Sequence, residues 1–169
     1  MRVLAPDEAA SPSRALDRRP KVYNSPPSGT IIDSPECAGG HGILTVENGT
    51  TEDAAVKLYD LGDERIICQF FVRLNDSASV SHVPVGNYGL KFAMGLGLYR
   101  AEFGWDFRWQ PSYRKYDRNF SYTEQRDGER IQYHEMTVTL QPVLTGNVKA
   151  VPISREEFLG GRANAALVR

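Results

Sequence analysis

Ile66-Ile67-Cys68-Gln69-Phe70-Phe71-Val72-Arg73-Leu74 decides how this chain is read. Ile66, Cys68, Phe70, Val72 and Leu74 fall on every second residue, the period of a strand with one buried face. The same period continues on both sides. Upstream, Leu44 and Val46 share one face of Ile43–Glu47, and Val56 and Leu58 point inward while Lys57 and Tyr59 point outward. Downstream come Ser79–Val83, then Tyr88, Leu90, Phe92 and Met94, then Phe120 and Tyr122, then Met136, Val138 and Leu140 on a long final strand. Turn residues separate the runs: Asn48-Gly49-Thr50-Thr51, Leu61-Gly62-Asp63-Glu64, Asn75-Asp76-Ser77, Pro84-Val85-Gly86-Asn87 and Arg126-Asp127-Gly128-Glu129. Short strands with turns roughly every ten residues predict an all-β fold, a single antiparallel β-sandwich of about seven strands over residues 41–143.

The flanks read differently. Residues 1–40 hold six of the ten prolines and show no sustained apolar period. Such a segment buries too little apolar surface to offset its ordering entropy, so an extended or disordered arm is expected there. Its most orderable part is Ser25-Pro26-Pro27-Ser28-Gly29-Thr30-Ile31-Ile32, whose isoleucines could dock on the domain or on a neighbouring subunit. The β domain is expected over 41–159. Ser154-Arg155-Glu156-Glu157 fits a capping box, which would start one helical turn carrying Phe158 and Leu159 back onto the sheets. Gly160-Gly161 would stop that turn, leaving 160–169 as a frayed tail.

Val83-Pro84-Val85-Gly86-Asn87-Tyr88-Gly89-Leu90 resembles the turn-and-strand element of prealbumin-like sandwiches, such as carboxypeptidase regulatory-like and Cna-B-like domains. In that element Pro presets φ for the turn, and Gly is expected to supply a positive φ. A wider resemblance, over residues 27–158, is to a set of uncharacterised bacterial proteins. It rests on Pro27-Ser28-Gly29, Val56-Lys57-Leu58-Tyr59-Asp60, Phe71-Val72-Arg73, Phe103-Gly104, Lys115-Tyr116-Asp117-Arg118-Asn119-Phe120, Val138-Thr139-Leu140-Gln141-Pro142-Val143 and Gly146-Asn147. It implies the fold and brings no assigned activity. The Cna-B-like resemblance also implies a possible Lys–Asn or Lys–Asp amide. Lys57 has the outward parity, however, and Asn147 lies beyond the last expected strand, so no crosslink is expected.

Composition removes several functions. Twenty Lys and Arg oppose 21 Asp and Glu, for a formal charge of −1. Phosphate-backbone binding and polybasic membrane attachment both need a basic excess, so neither nucleic acid nor a membrane surface is an expected partner. No run approaches the ~18–20 apolar residues of a membrane span. Acidic residues interrupt the first eight positions, so no secretory signal is expected and the cytoplasm is the default compartment. Cys37 and Cys68 fit no metal spacing and read as a free thiol and a small buried hydrophobe. His41, His82 and His134 are isolated. No metal, no cofactor and no catalytic constellation are expected.

Residues 95–118 are the sharpest feature. Gly95, Gly97 and Gly104 break the alternation, which predicts a loop. Both tryptophans lie there, and five basic residues outnumber three acidic ones between 98 and 118. Glu102, Asp106 and Asp117 are expected to neutralise Arg100, Arg108, Arg114 and Arg118. Trp, Tyr and Arg dominate protein interface hot spots, so Tyr99, Phe103, Trp105, Arg108, Trp109, Tyr113 and Lys115 are the candidate binding residues. The expected function is a non-catalytic interaction or assembly module, with a protein partner or self-association. The alternative is a glycan or peptide binder stacking its ligand on Trp105, Trp109 and Tyr113.

Overall fold

The computed structural model describes residues 25–32, 36–101, 104–141 and 149–160. The described chain is nearly all β. Its strands are β1 (Gly42–Asn48), β2 (Asp53–Asp60), β3 (Ile66–Val72), β4 (Asp76–Val83), β5 (Gly86–Ala101), β6 (Gly104–Tyr116), β7 (Phe120–Tyr122), β8 (Glu124–Asp127), β9 (Arg130–Tyr133), β10 (Glu135–Thr139) and β11 (Ala150–Pro152). One helical turn, α1 (Arg155–Phe158), follows. Among the described residues, ten strands stand within 41–143 where about seven were expected; the long β5–β6 pair and the short β8, β9 and β11 were not foreseen.

The smaller sheet has the order β10-β1-β4. The larger has the order β11-β6-β5-β2-β3, with β7 paired to the start of β5, and β8–β9 forms a separate ribbon. Among the described residues every strand pairing is antiparallel except β1–β10, which is parallel with Val46 opposite Val138. That pair corrects the purely antiparallel expectation. β10 is not the last strand either, because β11 joins the far side of the other sheet.

Alternation builds the core as expected. Leu44, Val46, Val80, Val83 and Val138 of the smaller sheet and Val56, Leu58, Cys68, Phe70, Leu90 and Phe92 of the larger form one buried apolar cluster. Leu74 lies past the end of β3 and is exposed, because the strand stops at Val72. Tyrosines close the rim, where a ring can be dry while its hydroxyl finds a partner. Tyr122 donates to the Ile43 carbonyl (3.1 Å) and Tyr116 to the Thr139 carbonyl.

Tyr88 explains the Pro-x-Gly-x-Tyr turn. Its hydroxyl reaches back to the Pro84 carbonyl (2.8 Å), and a Cβ on Gly86 would lie 2.7 Å from that hydroxyl oxygen. Gly86 is not among the residues with positive φ. Its smallness clears space for the Tyr88 ring, which corrects the expectation of a left-handed glycine.

The arm is used within the chain. Residues 25–32 run along the outer edge of β3, where Ile31 bridges Phe70. Gly29 N–H donates to the Phe71 carbonyl (2.7 Å), Phe71 N–H to Thr30 (3.0 Å) and Ile32 N–H to Gln69 (2.9 Å). Arg73 clamps the start of the segment, donating to the carbonyls of Pro26 (2.9 Å) and Ser25 (2.5 Å). An edge that would otherwise offer unpaired backbone groups is thereby covered. Cys37 and Cys68 form a disulfide, with Cα atoms 5.4 Å apart and both residues buried. This corrects the free-thiol reading. Pairing in sequence gave no hint, but Cys37 follows an arm that lies on β3, the strand that carries Cys68.

Candidate functional site

The described residues between 95 and 118 are not a loop. Most of them lie in two long paired strands, β5 and β6, with Leu96 opposite Trp109, Leu98 opposite Phe107 and Arg100 opposite Trp105. The register slips between Met94 and Leu96. Gln110 takes a left-handed φ of 56° on the other strand, beside Pro111, so the irregularity is a bulge inside a hairpin. Gly97 has φ 76°, and a Cβ there would meet the Trp109 ring at 2.3 Å. Gly95 and Gly97, which look like loop formers in the sequence, are here the places where Phe107 and Trp109 lie on backbone.

The larger sheet has a second, outer face, away from the main core. Ile32 of the arm, Ala55, Phe71, Ala93, Leu98 and Phe107 of the sheet and Phe158 and Leu159 of the C-terminal turn form a separate buried cluster. The turn is placed by the expected cap, since the Ser154 hydroxyl accepts from Glu157 N–H (2.9 Å). Ile153 N–H donates to the Tyr113 carbonyl (3.0 Å), extending the β11–β6 pairing.

Three lysines lie in one row across this face. Lys57 on β2 is opposite Lys91 on β5, which is opposite Lys115 on β6. Lys57 is 5% exposed and Lys91 8%. Lys57 Nζ donates to the Phe158 carbonyl (2.5 Å) and sits 4.2 Å from the centre of its ring. Lys91 Nζ donates to the Glu157 carbonyl (2.9 Å), and Lys115 Nζ to the Glu157 carboxylate (3.0 Å). Cations therefore meet the carbonyl end of the helical turn, where its dipole is negative. Burial lowers the Lys91 pKa, with Glu157 opposing, while the hydrogen bond to Glu157 raises that of Lys115.

Asp106 is the third buried charge here, beside Lys57 and Lys91, and it does not neutralise the loop arginines. It is 1% exposed and accepts from Arg155 Nε (2.5 Å), from the Tyr113 hydroxyl (2.6 Å) and from Phe107 N–H (2.8 Å). Burial first, and the Asp106 hydrogen bond second, push the Tyr113 hydroxyl above the usual tyrosine range. Asp117 instead accepts from Lys149 N–H (3.2 Å).

The candidate binding residues thus divide. Trp105, Tyr113 and Lys115 help to hold the C-terminal turn, with Tyr113 and Phe158 rings 5.6 Å apart. Tyr99 and Arg108 form a stack, the guanidinium 4.5 Å from the ring centre. Arg100 lies 5.8 Å from the Trp105 ring centre, and Trp109 is half-buried on Gly97. Phe103 lies outside the described residues, as do Glu102 and Asn147.

Comparison with protein-family models, curated proteins and solved structures finds no match.

The resemblances noted above therefore rest on their quoted motifs alone. Among the described residues, no three His, Cys, Asp or Glu side chains gather as a metal site would require. No helix among them is long and apolar enough to cross a membrane. The sequence reading did not name Lys91, and it gave Lys57, Asp106 and Arg155 other roles: a crosslink candidate, a partner of the loop arginines and a member of the capping box. The parity of Lys57 gave its side of the strand, but not the cover supplied from a hundred residues away.

Proposed function

We propose that this chain is a non-catalytic interaction or assembly module, built as one prealbumin- or immunoglobulin-like β-sandwich. Its contact surface is the distal half of the β5–β6 hairpin. The observation that carries this reading is the pair of arginine–aromatic stacks there, Arg108 on Tyr99 and Arg100 on Trp105. Arg108 and Arg100 are exposed, so each offers a guanidinium already positioned by a ring. Pre-ordered side chains lose less entropy on binding, and Arg and aromatic residues supply most interface energy. The mildly basic balance suits an acidic protein surface or a second copy of the chain.

The test is mass by light scattering over a concentration series, with and without Arg108→Glu. Self-association that rises with concentration and is lost in the variant supports the reading. A strict monomer that shows a tryptophan fluorescence shift against a glycan panel overturns it. That outcome favours the second reading, ligand stacking, for which the half-buried Trp109 ring on Gly97 is the supporting observation.

A further inference from the structure

The lysine row is an odd floor for a permanent core. An ammonium taken out of water is costly, and apolar side chains of similar size hold a cover at least as well. Yet Lys57 and Lys91 are buried on the outer face, and each has a main-chain carbonyl of the C-terminal turn as a partner. The cover itself is slight. It has one four-residue helical turn, a three-residue strand and two buried apolar side chains, Phe158 and Leu159. A single helical turn has no stability of its own in water. If it lifts, Lys57 and Lys91 regain water, which offsets part of the cost of exposing Phe71, Leu98 and Phe107 beside them. Lysines at these two positions therefore resist uncovering less than apolar side chains would.

The floor also reads its cover specifically. Lys115 takes the Glu157 carboxylate, Asp106 takes Arg155, the Tyr113 carbonyl takes Ile153 N–H, and Phe158 fills the apolar space beside Lys57. Recognition thus uses four residues between Ile153 and Phe158, namely Ile153, Arg155, Glu157 and Phe158, while Glu156 is exposed and makes none of these contacts.

We infer that the outer face of the larger sheet is a docking groove for this segment, and that its partner in assembly is residues 150–160 of a second copy, taken in exchange for the chain's own. A second copy carries the full set of complementary groups in the right order, and every contact made within one chain is reproduced between two. This goes beyond the hairpin surface of the proposed function and rests only on the assembly part of that reading.

Complementary variants test it in the full chain. Phe158→Ala spoils the segment and leaves the floor intact. Lys91→Glu spoils the floor, through repulsion of Glu157, and leaves the segment intact. If Lys91→Glu loses its native circular dichroism, Lys115→Glu replaces it, since Lys115 is partly exposed and faces the same carboxylate. With Arg108→Glu added to both variants to remove the hairpin contact, each alone should remain monomeric, and the mixture should form a heterodimer of twice the monomer mass. A labelled peptide of residues 150–160 should bind Phe158→Ala at least about tenfold tighter than the unmodified chain, because apparent affinity scales with the fraction of floor left open. Folded variants that give neither heterodimer nor peptide binding overturn the groove. Peptide binding without a heterodimer overturns the second copy as its occupant. Either failure leaves the hairpin reading standing, because Arg108→Glu is tested separately.

Discussion

The two faces of the larger sheet come from the same strands and are held by different means. The inner face alternates Val56, Leu58, Phe70, Leu90 and Phe92 against the smaller sheet, with tyrosine hydroxyls closing its rim. The outer face sets Lys57 and Lys91 among Ala55, Phe71 and Ala93. Its cover comes from Ile32, before the sheet in sequence, and from Phe158 and Leu159, after it. Alternation decides which side of a strand a residue occupies. It does not decide whether that side is dry.

If that contrast holds, the largest loss of stability belongs to the inner face. Phe92→Ala should cost about 3–5 kcal/mol by denaturant unfolding, because a fully buried ring between two sheets leaves a cavity that cannot collapse. Phe158→Ala should cost less, about 1–3 kcal/mol, since a one-turn cover can shift to fill its own gap. Equal costs would erase the distinction between core and cover.

Next in size is the disulfide. Cys37→Ala with Cys68→Ala should lower stability by about 2–4 kcal/mol, the range expected for losing a crosslink that closes a medium-length loop. The loss should appear with faster proteolysis near residues 25–32, whose hold on β3 the crosslink supports. Unchanged cleavage there would mean that Arg73 and the backbone bonds suffice.

Alkaline pH acts on both faces in the same direction. Burial raises the pKa of Tyr116 and Tyr122 on the inner rim, and Tyr113 is raised on the outer side. A pKa higher in the folded state than in the unfolded one favours folding up to the unfolded value, near 10. Stability should therefore hold below about pH 10 and fall above it as the unfolded chain loses tyrosine protons first. Tyr116→Phe should flatten that fall. An identical slope in the variant would place the linkage elsewhere.

The smallest effect is expected from the lysines. Lys57→Met with Lys91→Met should change stability by within about 1 kcal/mol, or raise it, because apolar replacements of similar size remove the desolvation cost together with the bonds. A loss of several kcal/mol would show that the row is a stabilising element and not a tolerant floor.

Much of the inner face was legible. Alternation placed Leu44, Val46, Val56, Leu58, Cys68, Phe70, Tyr88, Leu90 and Phe92 correctly, because neighbouring strands bury one side of each. The Ser154 cap and the docking of Phe158 and Leu159 were legible too, since capping is local chemistry. Residues 95–118 were misread because Gly95, Gly97 and the Gln110-Pro111 bulge disturb the period without ending the strands. The disulfide and the buried lysines were missed for a different reason. Each depends on a distant segment arriving over β3 or over β5 and β6, and no local pattern announces that arrival. The division of the candidate binding residues follows from the same cause, since Arg155 and Glu157 claim Asp106 and Lys115.

Native-state hydrogen exchange on the unmodified chain compares core and cover most directly. The amides of Ile153, Phe158 and Leu159, bonded to Tyr113, Ser154 and Arg155, should exchange through a separate low-energy opening. Those of Val56 and Phe92, where β2 and β5 pair, should exchange only with global unfolding. One common opening energy for both groups would contradict a liftable cover on a lysine floor.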